Sequence, residues 1–349
     1  MNNPYANAHP PLPPPPGQDL RPTFSRWWPV GWGALAGLTL RLMFAGAPGS
    51  AYAAMLDSFI LGSPILVGAV TVYMAERRYR RTWLFYFVAP AVATGFYILG
   101  TLLIYIEGWI CAIVIFPLFA LIGGLAGLAM GAVCRLTNWP RPAIVSSLAI
   151  LPLITGAFEQ RLPLPNGERS QECTIFVPAQ PTQVWRQLID ARAIRPAEID
   201  DAWMYRIGVP LPVEGAGDER NGEHLRHFVM GKGIHFDQVA IEWRPEHAVT
   251  WSNRFAPDSF PPQALDDHVR IGGHYFDLGA TRYSLTPQPG GTLLRVHMEY
   301  RVSTRFNWYA APVADFLVGN LEKTLLRFYA RRAVNGNAAA DERVHVSEW

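Results

Sequence analysis

The sequence predicts an α-helical transmembrane bundle followed by an α+β domain, in which an antiparallel sheet surrounds a long C-terminal helix. Three observations predict it. Charge is scarce: 17% of the 349 residues are charged and 50% are hydrophobic, against about 25% charged in an ordinary soluble domain. Charge is also uneven. Residues 1–158 hold nine Arg, no Lys and only Asp19, Asp57, Glu76 and Glu107, whereas residues 159–349 hold 21 basic and 24 acidic side chains. Finally, the first part contains apolar runs of membrane-spanning length, and the second alternates with strand period before closing on a helical stripe.

Residues 1–26 are a tail whose Pro10, Pro11 and Pro13 to Pro16 lack apolar periodicity, the pattern of a disordered or extended spacer. No cleavable signal peptide is evident. The membrane region, 27–158, contains the apolar runs Trp28–Ala47, Ala54–Ala75, Trp83–Ile106, Ile110–Cys134 and Ala143–Phe158. About 20 apolar residues cross a bilayer core; the first four runs meet this, and the fifth, with Pro152, is at the limit. Trp27, Trp28, Trp83, Trp109 and Trp139 mark the edges as interfacial aromatics do. The basic loop Glu76–Arg81, Arg21 and Arg26 before the first run, and Arg135 and Arg141 after the fourth fall on one side, which the positive-inside rule makes cytoplasmic. Loops 48–53 and 107–109 carry no Lys or Arg. Five spans therefore place residues 159–349 in the periplasm of a bacterial inner membrane; a fifth run lying flat places them in the cytoplasm. The bacterial source is read from arginine usage, since only Lys232 and Lys323 are lysine. Arg41 and Asp57 lie inside spans and form a candidate pair across the first hairpin, read as structural. Gly33 and Gly37, and Gly123, Gly127 and Gly131, form small-residue ridges for contact within the bundle or for a homo-oligomer. No inverted repeat or pair of broken helices suggests a transporter.

Residues 159–170, with Pro163, Pro165 and Gly167, read as a linker, 171–336 as a domain and 337–349 as a disordered polar tail. The domain opens with a strand, Gln171–Val177, ended by Pro178. A helix follows over Pro181–Asp190, with proline at its start and Val184, Trp185, Leu188 and Ile189 at helical spacing. A short helix is expected over Pro196–Trp203. Strands are expected at Glu223–Met230, Ile234–Trp243, Val249–Phe255, His274–Leu285 and Thr292–Thr304, the last two joined by the turn Pro287–Gly291. Leu294, Val296, Met298, Tyr300 and Val302 share one face of the last strand, and Arg295, His297, Glu299 and Arg301 the other, the signature of a half-buried strand. The closing helix covers about Trp308–Arg332, with Asn307 as N-cap and Leu317, Leu321, Leu325 and Phe328 as its apolar stripe. A sheet curved around such a helix leaves room for an apolar cavity.

At this point the chain resembles the SRPBCC superfamily (START-like, polyketide cyclase/dehydrase-like), over about Glu168–Ala333. The resemblance is carried by Thr174-Ile-Phe-Val-Pro-Ala179 with Pro181-Thr-Gln-Val-Trp185, by Ile241-Glu-Trp-Arg-Pro245 through Val249-Thr-Trp251, by the Pro-Gly-Gly hairpin and by the closing helix. It implies a helix-grip fold that binds hydrophobic small molecules or lipids. Some members of that superfamily are cyclases or hydrolases, and many have no chemistry.

Motifs for chemistry are sparse. No Gly-x-Ser-x-Gly occurs, and Gly231-Lys232-Gly233 reads as a turn rather than a phosphate loop. Three cysteines exclude a disulfide framework, and no Cys/His spacing suggests zinc. No metal or cofactor is expected. Arginine at membrane edges accounts for the basic balance, so nucleic acid is not expected as a partner. His235 and Asp237 alternate with Val239, Ile241 and Trp243, so an unbroken strand places all five on one face and makes the first two a candidate acid/base pair. Asp266, Asp267, His268, His274 and Asp277 read as a solvated loop, and Ala256–Asp267 as an insertion able to act as a lid. Candidate cavity-wall residues are Trp243, Trp251, Tyr275, Tyr283, Met298 and Tyr300. The expected function is non-catalytic binding or transfer of a lipid or apolar small molecule at the bilayer. The alternatives are a cyclase/dehydratase-type enzyme using His235 and Asp237, and a sensory or structural module with a filled cavity.

Overall fold

A computed structural model describes residues 24–77, 80–137, 142–220 and 222–346. The proline-rich tail with Arg21, residues 78–79 of the basic loop, and 138–141 with Trp139 and Arg141 lie outside the described residues. So does the end of the polar tail, 347–349.

The apolar half folds as helices α1 (Phe24–Met43), α2 (Asp57–Glu76), α3 (Trp83–Leu103), α4 (Trp109–Leu136) and α5 (Pro142–Glu159). Among the described residues, α2, α3 and α4 are long and apolar enough to cross a membrane, and Ser146–Glu159 is a shorter apolar helix. Each of α1 to α5 contains one proline beyond its first residue, Pro29, Pro64, Pro90, Pro117 and Pro152, which helices in an apolar bundle tolerate because neighbours re-satisfy the backbone. The glycine ridges lie at crossings. A Cβ at Gly33 meets Thr71 and Ala93, one at Gly68 meets the Gly123 carbonyl, and one at Gly131 meets the Tyr86 ring. The close approaches that small residues permit are thus made within this chain. Phe44, Phe59, Tyr97 and Phe119 fill the bundle centre.

The helices alternate in direction, so two ends can be distinguished. At one end lie Arg81, Arg135, Glu76 and the Tyr86 hydroxyl; Tyr86 donates to Glu76 at 2.7 Å, and Arg135 donates to the Arg81 carbonyl at 2.7 Å. The other end carries the loops 44–56 and 104–108 and the C-terminus of α5. There Glu159, the last residue of α5, accepts hydrogen bonds from the backbone amides of Asp57 (2.6 Å) and Ser58 (2.9 Å). The α2 N-cap residue Leu56 has no side chain able to do this, so α5 caps α2.

The second half contains strands β1 (Glu168–Val177), β2 (Pro212–Arg220), β3 (Glu223–Met230), β4 (His235–Arg244), β5 (Ala248–Arg254), β6 (Phe276–Gln288) and β7 (Gly291–Val302), with helices α6 (Pro181–Ile189), α7 (Trp203–Arg206) and α8 (Asn307–Val346). These strands form one antiparallel sheet in the order β1-β7-β6-β5-β4-β3-β2. The chain makes the first strand, crosses through α6 and α7 to the far edge, and returns as a meander until β7 pairs with β1. One sheet face packs on α8 and α6, an arrangement consistent with a helix-grip fold. The expected alternation in β7 holds, with Leu294, Val296, Met298, Tyr300 and Val302 all buried.

Three expectations are corrected. The strand β2 has no counterpart in the sequence reading; its Pro212-Val-Glu-Gly-Ala-Gly lacks apolar alternation, which an edge strand does not need. Asn307 is the first residue of α8, and its side chain turns back rather than capping: Nδ2 donates to the Val302 carbonyl, and Oδ1 accepts from the Thr304 amide, both at 2.8 Å. The helix backbone also continues beyond Gly336 to Val346, where the sequence predicts a disordered polar tail.

Candidate functional site: an apolar cavity at the junction

The domain sits on the end of the bundle that carries loops 44–56 and 104–108. The Gly49 amide donates to the Tyr275 hydroxyl (3.3 Å), and the Gly108 amide donates to Asp266 Oδ2 (3.0 Å). The Tyr309 hydroxyl donates to the Val114 carbonyl (2.6 Å). Arg305 pairs with Glu159 at 3.2 Å, both side chains being largely buried. A cavity of about 200 Å³ lies between the two halves at this junction. Phe59, Tyr97, Ile115 and Phe119 line it from the bundle, and Phe276, Val302, Val313 and Val318 from the domain. An engineered apolar cavity of about 150 Å³ stays dry and takes up benzene. A lining this apolar therefore favours an apolar guest over water.

One end of the cavity is polar. Arg41, on α1, is 5% exposed; its Nε donates to Glu107 Oε1 at 2.6 Å and its Nη1 to the Phe44 carbonyl at 2.6 Å. The sequence pairing of Arg41 with Asp57 is thus replaced by a pairing across 66 residues. Asp57 instead begins α2 beside Glu159. His268 Nε2 stands 3.8 Å from Glu107 Oε2. Glu107, Cys111 and His268 all border the cavity. The sequence makes the segment between β5 and β6 a lid-like insertion, Ala256–Asp267, followed by a solvated cluster, Asp266 to Asp277. It is instead anchored: Phe260 and Ala264 pack with Phe236 and Phe255, and Asp266 and His268 reach the bundle. Its Gly272 and Gly273 permit the tight return into β6.

Of the six expected cavity-wall residues, Tyr275 lines this cavity, and burial raises the pKa of its hydroxyl. The other five fill the space between sheet and helix. Trp251 lies beneath the Arg226 guanidinium, 4.8 Å from ring centre to Cζ. Tyr283 meets Tyr329 edge-on at 5.6 Å. Trp243 packs on Trp185, Trp251 and a stacked His224. The Met298 amide donates to Glu322 Oε1 (3.2 Å), and the Tyr300 hydroxyl donates to Asp315.

Two buried ionisable groups in that interior escaped the sequence reading. Arg226 is 3% exposed and is held by Gln238, the Leu188 carbonyl and Tyr329. Glu322 is fully buried on α8, and burial pushes its pKa up to about 7. A charged residue at an otherwise inward position of a strand or helix stripe is the available signal for both.

His235 and Asp237 share a face, but it is the one turned away from α8. Gln238, next in the chain, reaches Arg226 on the α8 side. Asp237 bonds to His227 Nδ1, whose other nitrogen faces Asp218, and the half-exposed His235 lies 3.7 Å from Asp258. The β4 strand is not unbroken. A bulge between Ala240 and Glu242 shifts the register, so Trp243 turns inward while His235 and Asp237 stay outward. Gly231-Lys232-Gly233 forms the turn between β3 and β4.

No protein-family model and no curated protein matches the chain. Among solved structures, it is similar to a protein of Thermus thermophilus, at 16% identity and TM-score 0.32, over 48% of this chain and 99% of that one. It is also similar to the Zhui aromatase/cyclase of a Streptomyces species, at 14% identity and TM-score 0.30, over 48% and 93%. A protein of Chromobacterium violaceum matches at 17% identity and TM-score 0.27, over 47% and 96%.

Proposed function

We propose that this protein is a membrane-anchored, non-catalytic binding protein for a lipid or another apolar small molecule, held in the junction cavity. The observation that carries the reading is the cavity's double origin: apolar side chains of α2, α3 and α4 form one wall and those of the domain form the other. A guest there leaves or enters the bilayer without crossing bulk water. The space between sheet and α8 is closed by Trp251, Tyr283 and Tyr329, so this reading rests on the junction. The arginines at the far end of the bundle, Arg77, Arg80, Arg81 and Arg135, and the absence of Lys and Arg from residues 44–56 and 104–108, favour a cytoplasmic far end and a periplasmic domain.

The test is native mass spectrometry of the full chain in mild detergent, after exposure to a bacterial lipid extract. The reading expects a defined apolar adduct, and expects Ala314→Trp, which fills the cavity from α8, to abolish it. A full chain that stays empty, or an Ala314→Trp variant that keeps the adduct, overturns the reading.

A further inference from the structure

We propose that Glu107, Cys111 and Asp266 form a binding site for a divalent cation of the zinc class, which ties the domain to the apolar bundle. One ligand atom from each of the three lies within 4.8 Å of those of the other two. Glu107 precedes α4, Cys111 lies in its first turn, and Asp266 comes from the segment between β5 and β6. Both halves of the molecule therefore contribute donors.

The pairings already present leave donor capacity free. Glu107 gives Oε1 to Arg41, while Oε2 is buried and has no hydrogen-bond partner among the described residues. Asp266 accepts from the Gly108 amide through Oδ2 and, at 3.4 Å, from the His268 amide through Oδ1. A carboxylate that accepts one backbone hydrogen bond at each oxygen still has lone pairs for a cation. His268 lies next to the cluster, with its Nε2 3.8 Å from Glu107 Oε2, so a nitrogen donor is at hand beside the three ligands.

Charge points the same way. Arg41 and the two carboxylates leave one negative charge in a largely apolar enclosure, which is costly. An arginine, two carboxylates, a cysteine thiolate and a divalent cation are together neutral. One sulfur, carboxylate oxygens and a nearby imidazole suit zinc, which binds tetrahedrally to sulfur, nitrogen and oxygen, better than magnesium or calcium, which take oxygen alone. No spacing rule reveals the site, because Asp266 is 155 positions beyond Cys111. The cation site goes beyond the binding of an apolar guest and stands whether or not a guest occupies the cavity.

The experiment uses the full chain in mild detergent, stripped with a chelator and titrated with Co²⁺ and then Zn²⁺. One Co²⁺ per chain is expected, with tetrahedral visible bands and a near-ultraviolet thiolate-to-cobalt charge-transfer band, all displaced by Zn²⁺. Cys111→Ser is expected to remove the charge-transfer band. Asp266→Asn, which still accepts from Gly108, is expected to weaken binding at least about tenfold, as losing even an outer partner of a metal ligand does. Cys173→Ser, on β1 beside Glu322, is the control and is expected to change neither. Absence of stoichiometric binding by the wild-type chain overturns the proposal, and so does a charge-transfer band that survives Cys111→Ser.

Discussion

Glu322 offers a quantitative test of the packed interior of the domain. Its carboxyl is fully buried on α8, with Oε1 accepting from the Met298 amide and Oε2 without a hydrogen-bond partner among the described residues. Burial raises its pKa from 4.5 to about 7. The folded chain therefore holds this proton over a range in which the unfolded chain has released it. Stability from this source is greatest below pH 4.5, declines as pH rises toward 7, and is level above that. Each pKa unit is about 1.4 kcal/mol, so the full loss is at most about 3.5 kcal/mol, most of it between pH 5 and pH 8, less whatever solvent screening removes. For a domain of this size about 1 kcal/mol moves Tm by roughly 2–4 °C, so the wild-type Tm is expected to fall by up to roughly 6–12 °C between pH 5 and pH 8. Glu322→Gln keeps an acceptor for Met298 and removes the titration, so its Tm is expected to vary much less over the same range. The assay is thermal unfolding followed by tryptophan fluorescence, since Trp185, Trp243 and Trp251 surround the same core. A wild-type Tm that does not fall with pH, or a Glu322→Gln variant that falls as steeply, refutes the reasoning.

Two further predictions concern the bundle and its junction. Glu159→Ala leaves the Asp57 and Ser58 amides without their acceptor and the largely buried Arg305 without its carboxylate, with only the backbone carbonyls of residues 159 and 162 to accept from it. Breaking a buried pair in this way costs about 3–5 kcal/mol, so limited proteolysis should release the domain from the bundle faster; an unchanged cleavage rate contradicts the capping role. Gly131→Leu drives a side chain into the Tyr86 ring, where even a Cβ has no room. A loss of at least about 1–3 kcal/mol is expected for such overpacking, read as a lower Tm and broader size-exclusion profile in detergent, whereas Leu128→Ala, on the same helix, is expected to have a smaller effect.

Much of the architecture was legible because it rests on local periodicity. The apolar runs mark α1 to α5 within a few residues, since helix length against a bilayer core is a property of composition. The period of two in β7 and the proline-led start of α6 mark those elements, since side chains alternate across a strand and proline fits a helix's first turn. Where an element is held by its neighbours instead, the sequence is silent. The edge strand β2 pairs with β3 through its backbone while its own side chains show no pattern. The bulge in β4 is equally invisible, and one extra residue is enough to separate Trp243 from His235 and Asp237, because the face of a strand reverses with each residue.

The sequence by itself therefore determined the division into an apolar helical half and an antiparallel α+β half, the order of most elements and the inward face of the final strand. Only the tertiary structure decided where an open cavity lies and which charges meet there. Tyr275, just before β6, reaches the junction while Trp251, Tyr283 and Met298, on the sheet, fill the space beneath α8, although all four are buried aromatic or thioether side chains. Arg41 meets Glu107 rather than Asp57, and Asp266 meets Gly108 and Cys111, across 66 and more than 150 positions. The physical reason is that periodicity records which way a side chain points relative to its own backbone, whereas cavities and ion pairs depend on the packing of segments that are remote in the chain.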